Sequence, residues 1–203
     1  MILLIRHGET AGNVSKANYI DMSDEQMALT DVGRSQIVTL SGMIGPLLTE
    51  SDAWSLAPEP RCRESSAMLG CDEQSNATVD KRLRAQSWGD LRFPGARAAL
   101  EASGSWPSGL DVRFPGGETA REVLDRCRQV ADELRVAELN SPCRVHCVVT
   151  HGVVIRVLLA HWGGWSDERI ESTPSVPPGS CLRVERDVST DGQIGVVAKY
   201  RPR

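Results

Sequence analysis

The chain alternates short apolar runs with helix-like patterns, and two of those runs stop in the same way, at a histidine followed by glycine. Residues 1–5 form an apolar strand candidate that ends abruptly at Arg6-His7-Gly8. Cys143 to Thr150 is the second; its alternation of Cys143, Val145, Cys147 and Val149 suits a strand interior, and it stops at His151-Gly152. His146 lies inside that run, which predicts a hydrogen-bonded core or rim histidine rather than a catalyst. Ala53 to Ala57 is a third strand candidate, ended by Pro58, and Cys181 to Val184 and Ile194 to Val197 are two late ones around a polar turn.

Helical patterns fill the spaces between. Thr30 is a candidate N-cap, with Ile37, Leu40, Ile44 and Leu48 close to one face and Gly45-Pro46 as a stop or kink. Thr119-Ala120-Arg121-Glu122 fits a capping box, and Val123, Leu124, Cys127, Val130 and Leu134 then form one apolar stripe. Gly152 to about Trp162 is apolar nearly all round, so a buried helix is expected. Residues 86–117 are rich in Gly, Pro and Trp with weak periodicity. They are expected to form a loop or lid-like insertion with one short helix near Ala96 to Ala102. Trp162 and Trp165 are expected to pack on the core, with a homodimer contact as the alternative. Strands alternating with helices predict an α/β fold, with residues 1–203 as one domain.

In α/β sheets, ligands gather where strands end and helices begin. A glycine after each histidine lets the backbone come close to a ligand, and helix N-termini offer N–H groups and positive potential to an anion. Two imidazoles, Arg6 and backbone donors together suit a phosphate.

Composition narrows the partners. The 203 residues carry 23 basic and 27 acidic side chains, a net charge of -4, so no nucleic-acid footprint is expected. No apolar run approaches the ~18–20 residues of a membrane span, and the start lacks the pattern of a signal peptide, so neither membrane nor export is expected. The six cysteines include no C-x-x-C pair. Reduced thiols in a cytoplasmic setting are therefore expected, and no zinc ribbon.

Five blocks in order resemble the histidine phosphatase superfamily, which includes the cofactor-dependent phosphoglycerate mutases. They are Leu4 to Thr10 with Asn13; Leu29-Thr30 with Gly33 and Gln36; Ala57-Pro58-Glu59-Pro60-Arg61; Phe114 to Thr119; and Val149-Thr150-His151-Gly152 with Val154-Ile155-Arg156. The Pro115-Gly116-Gly117-Glu118-Thr119 block and the stretch Val154 to His161 resemble α-ribazole phosphatase and related small phosphatases. The resemblance implies a phosphoglycerate mutase-like three-layer α/β/α sandwich. It implies a phosphatase, with mutase activity less favoured, acting on a small phosphorylated metabolite with no metal or other cofactor. It implies His7 as the nucleophile that forms a phosphohistidine. Arg6, Arg61 and His151 then hold the phosphoryl oxygens, and Asn13, Gly8 and Gly152 add binding groups. Arg61 fits the block spacing better than Arg63, and Glu9 is expected to be a helper or surface residue.

One position departs from the pattern. The resembled block L-R-E-x-x-x-G carries the proton donor at its glutamate, whereas this chain reads Leu83-Arg84-Ala85-Gln86-Ser87-Trp88-Gly89. Gln86 can donate a hydrogen bond but not a proton. Three readings stand open. Another carboxyl serves, Glu118 first and Asp90 second. Or the substrate is a phosphohistidine or acyl phosphate that needs no acid. Or phosphate binding survives without efficient catalysis. Glu118 also suits a plain structural reading, as a carboxylate at a helix start.

Overall fold

A computed structural model describes residues 1–15, 18–48, 52–74, 76–91, 95, 109–141, 144–187 and 193–202. Six strands form one sheet: β1 (Ile2–Arg6), β2 (Ala53–Leu56), β3 (Ala77–Val79), β4 (His146–Thr150), β5 (Cys181–Asp187) and β6 (Gln193–Tyr200), in the order β3-β2-β4-β1-β5-β6. The first four run parallel, and β5 and β6 close the far edge antiparallel. Every residue of β4, and all but the last of β1, is buried, so both faces of the sheet's centre are covered.

The helices are α1 (Ala11–Val14), α2 (Asn18–Asp21), α3 (Asp31–Ile44), α4 (Pro60–Met68), α5 (Ala120–Asn140), α6 (Gly152–Gly163) and α7 (Asp167–Ser172). Helix α3 packs on α4, and α5 on α6. The caps are those expected: Thr30 accepts from the Gly33 N–H, and Thr119 and Glu122 form a reciprocal capping box. Gly45-Pro46 ends α3 in a short 3₁₀ turn. Trp162 and Trp165 pack against the core; the Trp162 indole donates to the Ala131 carbonyl at 3.0 Å, and the Arg169 guanidinium lies over Trp165.

Strand β3 and helices α1, α2, α4 and α7 are not apparent from periodicity. Strand β3 has only three residues. Helix α4 buries Arg61, Cys62, Ser65 and Ser66 instead of an apolar stripe, so its inward face looks like solvent-facing sequence. The described ends of the 86–117 segment cross each other. The Asp90 N–H donates to the Pro115 carbonyl and the Glu118 N–H to the Ser87 carbonyl. The helix expected at Ala96 to Ala102 lies outside the described residues.

Candidate active site

Three neighbouring parallel strands deliver the site. Arg6 pairs with Thr150 in register, so the residues that follow, His7 and His151, leave adjacent strand ends together. Their ring centroids are 5.1 Å apart at 63°. On the other side of β4, the Ala57 N–H donates to the Val149 carbonyl. The chain then turns through Pro58-Glu59-Pro60 into α4, carrying Glu59 and Arg61 to the same edge.

His7 is buried, and its Nδ1 lies 2.7 Å from the carbonyl of Gly8. A carbonyl only accepts, so Nδ1 carries the hydrogen and the lone pair sits on Nε2. Burial, reinforced by His151, Arg6 and Arg61, pushes the His7 pKa well below the ordinary histidine value. The ring is therefore neutral near pH 7, as a nitrogen nucleophile must be.

Two arginines flank it. Arg6 donates through Nη1 to the Val176 carbonyl and to Ser175 Oγ, while its buried Nε has no hydrogen-bond partner. Burial draws the Arg6 pKa down to about 10, still charged at neutral pH. Arg61 is almost fully buried at 3% side-chain exposure and donates through Nη2 to Asp24 Oδ1 at 2.8 Å. Gly152 opens α6 beside them. A Cβ there would stand 2.4 Å from Ser175 Oγ and 3.1 Å from Arg6 Nη1, so only glycine leaves room for the guanidinium. These groups line a cavity of about 290 Å³, whose outer wall includes Ala85, Gln86, Trp88 and Tyr19. Trp88 stacks at a tilt between Tyr19 and Phe114, which gives the mouth an aromatic side.

The structure brings together Arg6, His7, Arg61, His151 and Gly152, and it places Glu118, Asp90, Asn13 and Gly8 outside the cavity lining, while Glu9, Arg63 and His146 stand as expected. Glu118 is not among the cavity-lining residues. Its carboxylate accepts from Arg84, from Arg126 at 2.8 and 3.0 Å, and from the Ser87 N–H, so it fastens the cavity rim to α5 and is not placed to reach a leaving group. Asp90 lies outside the cavity as well. Asn13 Oδ1 accepts from the Thr10 N–H and hydroxyl, which makes it part of the α1 cap and not of the cavity wall. The Gly8 N–H donates to Ser65 Oγ and is not offered to a ligand; Gly8 is needed because a Cβ would meet the Gly33 carbonyl at 2.4 Å. Gln86 spends its amide on the Glu118 carbonyl. Glu9 accepts from the Thr30 hydroxyl, and Arg63 is an exposed partner of Glu73. His146 sits buried in β4, away from the cavity.

Sequence reasoning missed Glu59 and Asp24. Asp24 sits on the Arg61 fork, where a phosphate would compete with it. Glu59 is buried, 2.8 Å from His151 Nε2 through Oε2, and accepts the Ala85 N–H at 2.8 Å through Oε1. Burial would raise its pKa, but the hydrogen bond from His151 and the backbone donors outweigh that and hold it at about 2. A carboxylate between two prolines immediately after an apolar run was the only available signal.

Among the described residues, Glu59, Cys62 and His151 are the one group of three side chains whose atoms lie close enough to share a metal ion, within 4.8 Å of one another. Burial raises the Cys62 pKa well above the ordinary thiol value, so the thiol is protonated at neutral pH, and Glu59 and His151 already satisfy each other. Among the described residues, no helix is long and apolar enough to cross a membrane.

The family model described as "Histidine phosphatase superfamily (branch 1)" matches residues 2–192. A phosphoglycerate mutase-like protein of Arabidopsis thaliana, AT74, is 28% identical over 204 residues, covering 90% of this chain, which spans 63% of that protein's length. The broad-range acid phosphatase DET1 of Saccharomyces cerevisiae is 31% identical over 128 residues, covering 61% of this chain and 38% of its own. Among solved structures, YhfR of Bacillus stearothermophilus superposes with a TM-score of 0.73 at 23% identity, covering 97% of this chain and 95% of its own. A mycobacterial glucosyl-3-phosphoglycerate phosphatase does so with a TM-score of 0.73 at 23% identity, covering 96% of each chain.

Proposed function

The chain belongs to branch 1 of the histidine phosphatase superfamily, and on that footing we propose that it is a metal-independent phosphatase that hydrolyses a phosphomonoester of a small metabolite through a phosphohistidine on His7. The observation that carries this reading is the His7 tautomer: Nδ1 is held by the Gly8 carbonyl, and Nε2 carries the lone pair at a cavity flanked by Arg6, Arg61 and His151.

In this reading the phosphoryl group binds between Arg6 and Arg61, displacing Asp24 from the Arg61 fork. The Nε2 lone pair of His7 attacks phosphorus as the bond to the leaving oxygen breaks. The arginines, His151 and the α6 N-terminus at Gly152 stabilise the charge on the equatorial oxygens. Water then attacks the phosphohistidine, releasing phosphate and restoring His7. These cationic and dipolar groups supply the field that a metal would otherwise supply, so the reading calls for no metal or other cofactor. Net hydrolysis is preferred over phosphoryl transfer between substrates, in keeping with the similarity to a broad-range acid phosphatase. A cytoplasmic setting belongs to the same reading, supported by the buried free thiols of Cys62, Cys71, Cys127, Cys147 and Cys181.

The test is hydrolysis of p-nitrophenyl phosphate in EDTA by the wild type and by His7→Ala. The wild type is expected to turn over and to yield an acid-labile phosphohistidine on rapid quenching. His7→Ala should lose at least ~10³-fold, because it removes the covalent route altogether. Equal rates in the two proteins would sink the nucleophile assignment. Ala85 favours a second reading, in which the substrate is a phosphohistidine or acyl phosphate, or the protein mainly binds phosphate. That reading predicts turnover of acetyl phosphate or phosphohistidine with none of alkyl esters, or, for the binding protein, phosphate affinity with no trapped phosphoenzyme.

A further inference from the structure

An alkyl ester leaves as an alkoxide unless something protonates it, so hydrolysis of such a substrate needs an acid at the cavity. Among the described residues that line the cavity, Asp24 is the one carboxylate, and it is ion-paired to Arg61. That pairing directs it at the arginine that would hold the phosphoryl group rather than at the leaving group. Ala85 contributes no acid, and Glu118 is held by Arg84 and Arg126 outside the cavity. One further carboxylate reaches the site, through a cavity-lining ring: Glu59, bonded to His151 Nε2.

We propose that Glu59 and His151 together supply the leaving-group proton, with His151 as the donor facing the cavity and Glu59 as the positioning residue that keeps its ring charged when substrate is bound. This rests on the phosphatase reading given above and deepens it. Glu59 is well placed for the task. Its Oε1 is fixed by the Ala85 N–H, so its other oxygen is aimed at Nε2, and Pro58 and Pro60 hold the backbone on either side. It thus brings a carboxylate against the backbone of Ala85 from a different strand end.

The proton balance follows from the neighbours. His7 and Arg6 face the pair from the end of β1, Arg61 and Cys62 from α4, and Asp24 from the segment after α2. In the free site burial lowers the pKa of His151 despite Glu59, so the neutral ring donates its Nε2 hydrogen to the carboxylate. A bound phosphoryl group adds negative charge on the cavity side, and with Glu59 on the other side the imidazolium becomes the favoured form. The extra proton comes from solvent or from the ester monoanion. As the His7 Nε2–phosphorus bond forms and the ester P–O bond breaks, the leaving oxygen takes one proton from the imidazolium, and His151 returns to the neutral ring beside Glu59. In the second half, the same pair takes a proton from the water that attacks the phosphohistidine, and the water's oxygen leaves as part of the phosphate. As phosphate departs, His151 gives that proton to solvent, which replaces the one drawn at the start and restores the neutral ring beside Glu59.

The test compares two leaving groups in Glu59→Gln and Glu59→Asp. The glutamine keeps the shape and an acceptor for the Ala85 N–H but cannot balance a charged imidazole. For Glu59→Gln, kcat/KM on β-glycerophosphate should fall ~10²-fold or more, while kcat/KM on p-nitrophenyl phosphate, which reports only the phosphorylation half and whose phenoxide leaves unaided, should fall by less than about tenfold. The high-pH limb of the β-glycerophosphate profile should move to lower pH, with the p-nitrophenyl profile left in place. Glu59→Asp should recover a substantial part of the lost β-glycerophosphate activity. Equal losses on both esters, no loss on either, or a Glu59→Asp variant no better than Glu59→Gln would overturn the role of Glu59. A wild type that cleaves neither ester and forms no phosphohistidine would instead overturn the phosphatase reading, and this one with it. Formation of phosphohistidine from acetyl phosphate by Glu59→Gln shows that a variant defective on alkyl esters is folded with its nucleophile intact.

Discussion

At the scale of single residues, the site is a contest over who holds each charged group before substrate arrives. Arg61 is nearly fully buried, and its fork is closed by Asp24, whose own side chain is 53% exposed. In the proposed reading, phosphate displaces that carboxylate. The pair is open to solvent on the Asp24 side, which limits its worth to about 0.2–1 kcal/mol. Asp24→Asn is therefore expected to tighten inhibition by inorganic phosphate by up to about fivefold, read as a lower inhibition constant. Weaker phosphate binding in that variant would mean that Asp24 orients Arg61 rather than competing for it. Arg6 presents a different case, with a buried Nε that has no hydrogen-bond partner. An unpaired buried donor is costly, and a phosphoryl oxygen is the kind of acceptor that would satisfy it.

At the scale of elements, Glu118 and α4 show how polar side chains can hold backbone in place. Glu118 ties the rim at Arg84 and Ser87 to Arg126 on α5, and Arg126 in turn donates to the carbonyls of Arg84 and Ala85. Removing the carboxylate leaves two guanidinium groups short of a partner. Glu118→Ala should lower the melting temperature, with a loss of about 1–3 kcal/mol for the charge-assisted bonds. It should still form phosphohistidine from acetyl phosphate. Unchanged stability with selective loss of alkyl-ester hydrolysis would restore Glu118 as the acid. Helix α4 is bound to the β1 end in a similar way, since Ser65 donates to the Arg61 carbonyl and accepts the Gly8 N–H. Its buried face is polar because it belongs to the site, and for that reason periodicity could not reveal it.

At the scale of the whole molecule, the buried titratable groups set a pH window for stability. His7 and His151 have folded pKa values below the ordinary histidine value of 6.5, so below that pH the unfolded chain binds protons that the fold refuses. Stability then falls with decreasing pH, by up to about 1.4 kcal/mol per pH unit for each ring. Glu59, depressed from 4.5 to about 2, loses its contribution over that lower interval and adds to the same trend. On the alkaline side, Cys62, Cys147 and Cys181 are pushed above the thiol value of 9.0, so unfolding releases protons and stability falls as pH rises past it. Thermal melts across pH 4–11 should therefore peak between about 6.5 and 9. A melting temperature that keeps rising below pH 6 would contradict the neutral, buried state of the histidines.

Much of the chemistry was legible along the chain, because a strand that stops at a histidine and a glycine states locally where it ends and what it presents there. Arg6, His7, His151 and Gly152 required only that two such strands lie side by side, and the caps at Thr30 and Thr119 are local matters of backbone N–H groups and nearby oxygens. The assignments that failed depended on reach. Glu118 had the right residue type, but its direction is set by Arg84 and Arg126, which are distant in sequence or on a separate helix. Glu59 lies 92 residues from His151 and 26 from Ala85, and it meets them only because β2 pairs with β4 and ends beside it. Sequence alone determined that Arg6, His7, His151 and Gly152 stand at strand ends, and the alternation of strands and helices, since these follow from short-range pattern. The strand order, the ion-pair partner of Arg61 and the carboxylate that reaches the second histidine were decided by tertiary structure, because they depend on which strand ends become neighbours when the sheet forms.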